Sequence, residues 1–369
     1  MKKRATQIVL TAMIASLLIL TGCAVQPEKM HTKDLFALNT FLSFRVYGGA
    51  NAEQALDSAI NRIHDIESMM SITVEDSDVV QINNNSGIRP VKVHEDTFYV
   101  IKTALYYSAL TEGRFDITIY PIARLWGIGT ENARVPSIEE IQQKLPLVNY
   151  QNVVLDEENR TVFLEKKGMG IDLGGIAKGF AADEAARIFK EAGIKHAIIN
   201  MGGSITTIGS RPDDSTWRIG VRNPRGQNGD LEHMAIIESK NIWYSLQEPN
   251  QQGSSVYPDI SILSAGDYER YIVDVYTQTG VRYHHIFDPF TGYPAVAGVI
   301  ASTVVSRSAI VADALSTAMV VMGAKAGISL IEGIEGVEGL VITDDKKVYI
   351  TQGLTDNIEF TDQSFSVMP

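Results

Sequence analysis

The sequence predicts a mixed fold of helices and strands, built as one large domain or as two intimate subdomains. Three observations predict it. At 369 residues, 45% hydrophobic and 21% charged, the chain holds enough apolar material for a sizeable core in ordinary globular proportions. Stretches that alternate apolar and polar residues with period two recur between stretches with apolar residues at helical spacing. Beyond a short polar tether near the N-terminus, no internal repeat, low-complexity run or clear domain boundary breaks the series. The formal net charge of −12 leaves no basic footprint, which argues against nucleic acid as a partner; an acidic surface chiefly favours solubility.

The N-terminus stands outside this fold. Lys2, Lys3 and Arg4 make a basic n-region, residues 8–20 an apolar h-region, and Leu20-Thr21-Gly22-Cys23 follows. That is the layout of a secretory signal, too short and too early for a spanning helix. Its last four residues resemble the lipobox of bacterial lipoproteins. The resemblance implies removal of residues 1–22, lipidation of Cys23, a tether over 23–35, and a location on the extracytoplasmic face of the bacterial cell membrane. Cys23 is the only cysteine in the chain, so no disulfide or thiolate metal site is expected inside the fold.

Residues 42–47 alternate in period two and predict a strand. Ala55, Ile60, Ile63 and Ile66 predict a helix over 53–69, followed by a loop through Asp76-Ser77. Asn83-Asn84-Asn85-Ser86-Gly87 is a turn cluster, and 96–111 reads as a second helix. Glu112-Gly113 turns into a short segment stopped by Pro121, ahead of Leu125-Trp126-Gly127. Ser137, with Glu140 three residues on, is a capping box for a helix to about residue 144. Strands are predicted over 152–155, 161–165, 196–201 and 217–221, and the polar stretch 247–259 reads as an insertion.

Three stretches concentrate chemistry. Over 281–294, His284 and His285 stand just before Asp288-Pro289-Phe290-Thr291-Gly292, a turn in which Pro289 fixes φ and Gly292 permits φ > 0. In an extended segment the two histidines face opposite ways, so at most one joins a given site. A hairpin end with satisfied polar groups would look the same. Over 170–183, a strand, a Gly174-Gly175 turn and a helix to about residue 192 are predicted, then strand 196–201 ending at Gly202-Gly203. Paired glycines at such junctions let backbone N–H groups approach a ligand, and a helix N-terminus favours an anion. Tight packing explains the same glycines, and their spacing fits neither the dinucleotide fingerprint nor the Walker loop. Over 308–322 an apolar helix carries Asp313 and Thr317 four apart on one face. A carboxylate and a hydroxyl on one stripe suit a hard cation with oxygen ligands, or else a capping or buried hydrogen bond.

Together these landmarks resemble the ApbE family of FAD:protein FMN transferases, from about residue 38 to about residue 322 and more weakly beyond. The resemblance rests on six pieces in one order. They are Gly113-Arg114-Phe115-Asp116-Ile117-Thr118 with Pro121 and Leu125-Trp126-Gly127; Asp172-Leu173-Gly174-Gly175-Ile176-Ala177-Lys178-Gly179; Asn200-Met201-Gly202-Gly203; Gly266-Asp267-Tyr268-Glu269-Arg270; His284-His285-Ile286-Phe287-Asp288-Pro289 with Thr291-Gly292; and Asp313-Ala314-Leu315-Ser316-Thr317. The resemblance implies an α+β fold over 36–362, in which two closely packed α/β subdomains with T-fold-like sheets flank a FAD cleft. It implies Mg2+-dependent transfer of FMN from FAD to a threonine hydroxyl of an acceptor protein in an extracytoplasmic electron-transfer system, with AMP released. Carried over residue by residue, the Gly175 carbonyl, Asp313 and Thr317 would hold the metal. Leu38, Thr73, Arg114, Phe115, Asp116, Asp172, Lys178 and the backbone near Ile286 would contact FAD. His285 would deprotonate the acceptor threonine, with Asp313 the second catalytic residue.

The chain departs from the family's pattern at three places. Leu38-Asn39-Thr40 stands where the family has Met-Gly-Thr, Thr73 where an aromatic is frequent, and Ser264-Ala265-Gly266 where Thr-Ser-Gly is usual. Loss of the aromatic platform at Thr73 should weaken stacking on FAD. That keeps two other readings in view, a Mg2+-dependent FAD pyrophosphatase giving FMN and AMP, and a non-catalytic FAD-binding lipoprotein.

Overall fold

The computed structural model describes residues 28–226, 232–239 and 259–368. The predicted signal, Cys23 and most of the polar 247–259 stretch lie outside the described residues. The chain opens with β1 (Met30–Ala37) and β2 (Thr40–Tyr47), then α1 (Ala50–Met70), α2 (Asp78–Asn84), β3 (Val91–Lys92) and α3 (Glu95–Leu110). Next come α4 (Tyr120–Trp126), α5 (Ile138–Lys144), β4 (Val153–Asp156), β5 (Thr161–Leu164) and α6 (Ala177–Glu191). Strands β6 (His196–Met201), β7 (Ser204–Ile208), β8 (Arg218–Arg222), β9 (His233–Glu238) and β10 (Ile260–Gly266) precede α7 (Val273–Thr279), β11 (Val299–Ser306) and α8 (Ala309–Met322). The last elements are α9 (Ala324–Glu332), β12 (Val337–Thr343), β13 (Lys347–Ile350), α10 (Gln352–Thr355), β14 (Ile358–Phe360) and β15 (Ser366–Val367).

Among the described residues the centre is a nine-stranded sheet in the order β1-β2-β6-β7-β10-β11-β12-β13-β15, antiparallel except for the last pair. Period-two burial on β2 sends Leu42, Phe44 and Val46 to the face covered by helices α1, α6 and α8. The opposite face receives the small sheet β14-β9-β8, with Trp217, Ile219, Ile237, Ile262 and Leu340 between the two sheets. Strand β11 is therefore buried along its whole length, because helices lie on one side and a sheet on the other. A third sheet, β3-β5-β4, closes the α2–α3 region. In this α+β arrangement the apolar core runs without a break from Phe44 and Ile199 to Val162 and Ile171.

Two local expectations change. The segment 170–173 belongs to no sheet. Asn83 takes the place of a neighbouring strand, donating from Nδ2 to the Ile171 carbonyl (3.0 Å) and accepting the Ile171 N–H (2.7 Å). Gly202-Gly203 is a hairpin turn between β6 and β7 rather than a ligand cradle. Both glycines have positive φ, and their N–H groups are taken by Phe41 O and Asn200 Oδ1.

Helices α6 and α8 cap one another. Asp183, on α6, accepts the N–H groups of Ala309 (2.7 Å) and Ile310 (3.0 Å) and the Ser308 hydroxyl at the start of α8. Asp313, on α8, accepts the N–H of Gly179 (2.9 Å) in the first turn of α6. First-turn N–H groups lack intrahelical partners, so each carboxylate satisfies donors the other helix leaves open. The contact is close because Gly179 has no side chain: a Cβ there would lie 2.3 Å from the Ala309 carbonyl oxygen and 2.6 Å from Ile310 Cα. Gly179→Ala should therefore force the helices apart and destabilise the fold by about 3 kcal/mol, the upper part of the overpacking range. Urea denaturation checks it; an unchanged midpoint would mean that the helix pair yields freely.

Candidate active site

The crossing of α6 and α8 fixes the centre of the site. Asp313 is buried, and with one oxygen on the Gly179 N–H its other oxygen lies 3.6 Å from Lys178 Nζ. Lys178 also donates to the Gly174 carbonyl at 2.8 Å, which fastens the Gly174-Gly175 turn to the first turn of α6. Asp172 accepts the Gly174 N–H at 2.8 Å and shapes the same turn. A Cβ on Gly175 would stand 3.6 Å from Thr317 Oγ1 and 3.2 Å from the Phe115 ring. Gly175, Asp313, Thr317, Lys178 and Asp172 are thus brought together from stretches some 140 residues apart.

A second wall comes from two paired segments. Tyr271 and His284 form a bridge, and Ile272 N–H donates to Tyr283 O. The segment 267–270 is held at its start by Asp267 N–H on Ile300 O, at the bulge of β11. Arg225 grips Asp267 with two bonds of 2.7 and 2.8 Å, and Arg282 adds a third at 3.1 Å. The turn 288–292 is pinned from below. Asp288 Oδ1 accepts the Phe290 N–H, Trp126 Nε1 donates to Gly292 O at 2.9 Å, and a Cβ on Gly292 would strike Ile141 at 2.7 Å.

The two histidines divide as extended backbone requires. His284 is buried, donating from Nε2 to Ala295 O (3.0 Å) and accepting the Ile286 N–H at Nδ1 (3.3 Å). Both ring nitrogens are used, and its place is structural. His285 has Nδ1 at 3.3 Å from the Arg270 carbonyl oxygen. A carbonyl only accepts, so Nδ1 carries the proton and Nε2 the lone pair.

The remaining expected FAD contacts differ in what they can offer. Leu38 is half-buried and packs on the main core, and its backbone is left-handed (φ 51°), as is that of Asn39 (φ 58°). That conformation explains a glycine at the second position of the family's Met-Gly-Thr, and asparagine is among the few other residues that accept it. Thr73 is exposed and bonds only the Ser71 hydroxyl, at 2.9 and 3.1 Å. Arg114 stacks on Phe290 at 4.5 Å, and Phe115 is buried beneath Gly175. Asp116 is buried with both oxygens engaged, accepting the Thr118 N–H and hydroxyl and the Tyr150 N–H. The side chain of Asp116 therefore holds the 114–119 turn, with both oxygens already accepting protein donors. At Ile286 the N–H is on His284 and the carbonyl accepts from Ala295.

Electrostatics mark the same place. Asp172 and His285 are half-buried and Glu269 is exposed, yet desolvation by the atoms crowded around them leads the causes of each pKa shift. Burial raises Asp172 and Glu269, against the pull of Lys178 and Arg270. Burial, with the charges of Arg270 and Lys178, pushes His285 down to about 3. A strong perturbation by desolvation plus named charges points to a functional cleft. It also has a consequence for stability. An unfolded histidine takes its proton near about 6.5, whereas the folded ring resists it to about 3. The stability held by neutral His285 is thus fully present above about pH 6.5 and lost as pH falls toward the folded value. His285→Asn should flatten the fall in melting temperature between pH 6.5 and 4. The raised carboxylates act with the opposite sign and are common to both proteins, so the difference curve isolates the histidine.

A family model for the ApbE family matches residues 38–341. The chain belongs to the ApbE family. It is 31% identical over 338 residues to the FAD:protein FMN transferase of Vibrio cholerae, covering 90% of this chain and 93% of that one. Among solved structures, the ApbE protein of Thermotoga maritima superposes with a TM-score of 0.77 at 34% identity, over 89% of this chain and 99% of that chain. The flavin transferase ApbE of Vibrio cholerae gives a TM-score of 0.74 at 26% identity, over 89% and 100%.

Within the ApbE fold, sequence reading missed Asp183 and the parts played by Glu269 and Arg270. Asp183 meets its partners 125 to 127 residues away, a pairing that no local pattern announces. Arg270 and Glu269 lay in a recognised stretch, but their directions depend on how the 267–270 segment hangs from β11. No cluster of three or more His, Cys, Asp or Glu side chains suited to a metal occurs among the described residues. The donors at Gly175, Asp313 and Thr317 are all oxygens with a single carboxylate, a set that fits Mg2+, whose remaining positions are ordinarily filled by water and phosphate. No helix among the described residues is long and apolar enough to cross a membrane.

Proposed function

We propose that this protein transfers FMN from FAD to a threonine hydroxyl of an acceptor protein and releases AMP. The observation that supports the reading is His285, with its proton on Nδ1 toward the Arg270 carbonyl and Nε2 left free, near enough to Lys178 to feel the charge that also pairs with Asp313. The relatives named FAD:protein FMN transferase support the reaction class.

Asp313, Thr317 and the Gly175 carbonyl would hold Mg2+, which when bound neutralises charge on the non-bridging pyrophosphate oxygens. Lys178, fixed by Gly174, adds a positive charge to the same oxygens. Asp172 and the glycine turn orient the substrate. His285 Nε2 takes the proton of the threonine hydroxyl as its oxygen bonds to the flavin-side phosphorus. The bond from that phosphorus to the bridging oxygen breaks, and AMP leaves with that oxygen. Burial holds the imidazole neutral at physiological pH, the form that accepts a proton, while lowering its basicity in the protein without substrate.

On the signal-like residues 1–23 we further propose that the protein is lipid-anchored through Cys23 outside the cytoplasmic membrane, where its acceptor would belong to an electron-transfer system. The exposed Thr73, which puts no ring over the flavin, favours one second reading: water in place of threonine, giving FMN and AMP. Following AMP by chromatography with and without acceptor separates them. Release that needs acceptor supports transfer; equal release in both tubes supports hydrolysis.

A further inference from the structure

The turn between β1 and β2 is strained and gripped from both sides. Leu38 and Asn39 both have positive φ, a conformation that disfavours leucine and persists only where its surroundings enforce it. Glu67 Oε1 accepts the Leu38 N–H at 2.8 Å. Arg270 Nη2 donates to the Asn39 carbonyl at 2.6 Å. A carboxylate thus holds the turn's N–H and a guanidinium its carbonyl, the charge-assisted form of each bond. The backbone of the same Arg270 holds His285: its carbonyl oxygen accepts the His285 N–H at 3.1 Å and faces Nδ1 at 3.3 Å. The stem of Arg270 passes Gly129 (φ 87°), where a Cβ would lie 3.6 Å from its Cδ. One residue therefore links the Leu38-Asn39 turn to the ring that carries the free Nε2.

We propose that Arg270 is the positioning residue of His285: its guanidinium, anchored on the Asn39 carbonyl, fixes the backbone carbonyl that selects the Nδ1–H tautomer and leaves Nε2 as the base. The inference rests on the reading of His285 as the base, but the state of the ring can be measured without any reaction. The charged groups facing the ring are Arg270 and Lys178, with His284 beside it. Glu269 and Asp172 face the same two cations from the other walls. Loss of the guanidinium thus removes a nearby positive charge as well as an anchor.

The test is long-range 1H–15N NMR of the histidines in the protein without FAD or metal, for wild type, Arg270→Ala and Arg270→Lys. Wild type should show His285 as a single Nδ1–H tautomer. Arg270→Ala should show a mixture and a titration midpoint shifted upward. Arg270→Lys keeps the charge but not the guanidinium that reaches the Asn39 carbonyl, so its midpoint should stay near wild type while the tautomer becomes mixed. In turnover, Arg270→Ala should lower kcat for transfer about tenfold to a hundredfold, the range seen when a metal-ligating histidine loses the outer partner that orients it. Its acidic limb should move to higher pH, and Arg270→Lys should restore the limb. An unchanged tautomer and midpoint in both folded variants would overturn the proposal. If only Arg270→Lys folds, an unmixed tautomer in it does so alone. Absence of FMN transfer by wild type would remove the catalytic reading of His285 while leaving the NMR result to decide the positioning.

Discussion

Asp313→Ala should abolish Mg2+-dependent release of AMP, with kcat lower by about a thousandfold or more. The size follows from loss of charge stabilisation worth several kcal/mol, each 1.36 kcal/mol being about a factor of ten. The same carboxylate also accepts the Gly179 N–H at 2.9 Å. Alanine leaves that donor unpaired, at about 1–3 kcal/mol. A domain of ordinary stability survives such a loss, so the variant should fold with a lowered denaturation midpoint. Asp313→Asn separates the two roles. Its amide oxygen can still accept from Gly179, so stability should return toward wild type while turnover stays lost. Substantial activity in either variant would remove Asp313 from the metal site.

His285→Ala should lower transfer to the acceptor by about a hundredfold to ten-thousandfold, the range of a lost general base. Binding of FAD, read from flavin fluorescence without metal, should change little, because the ring interacts with the Arg270 carbonyl and not with the Gly174-Gly175 turn. His284→Ala should behave differently. That ring is buried and bonded at both nitrogens to Ala295 and Ile286, so its removal should lower stability first and activity only through displacement of the loop. Comparing the two in parallel assays of melting and transfer distinguishes them. Equal losses of activity at equal stability would mean that the assignment of the two histidines is wrong.

Much of this was legible in the sequence where a local pattern has a local cause. The Ser137–Glu140 capping box forms as expected, with Ser137 Oγ accepting the Glu140 N–H and Glu140 bonding back to the Ser137 N–H. Helix 53–69 could be read from its period, and strand 196–201 from a short apolar run ending at paired glycines. Central strands could not: every residue of β11 is buried, so it has no alternation, and a short apolar run reads equally as buried helix. The turn at 202–203 carried a glycine pair that fits a ligand cradle or a hairpin, and only the pairing of β6 with β7 decides between them. At the site, residue types were legible and their partners were not. Asp116 reads as a free carboxylate until Thr118 and Tyr150 are seen to use both oxygens. The reciprocal caps of Asp183 and Asp313 join helices whose sequences contain no sign of each other. Asn39 is a departure in sequence yet occupies a left-handed position that asparagine tolerates, so the backbone keeps what the letters changed.

The proposed reaction ends with FMN on a threonine of another protein. Intact-mass spectrometry tests it on a threonine-containing acceptor domain, incubated with the mature protein, FAD and Mg2+, beside tubes containing EDTA or the threonine-to-alanine acceptor. The acceptor should become heavier by one FMN, with no added mass in either control. An acceptor that stays unmodified while FMN and AMP accumulate, across several such domains, would contradict it.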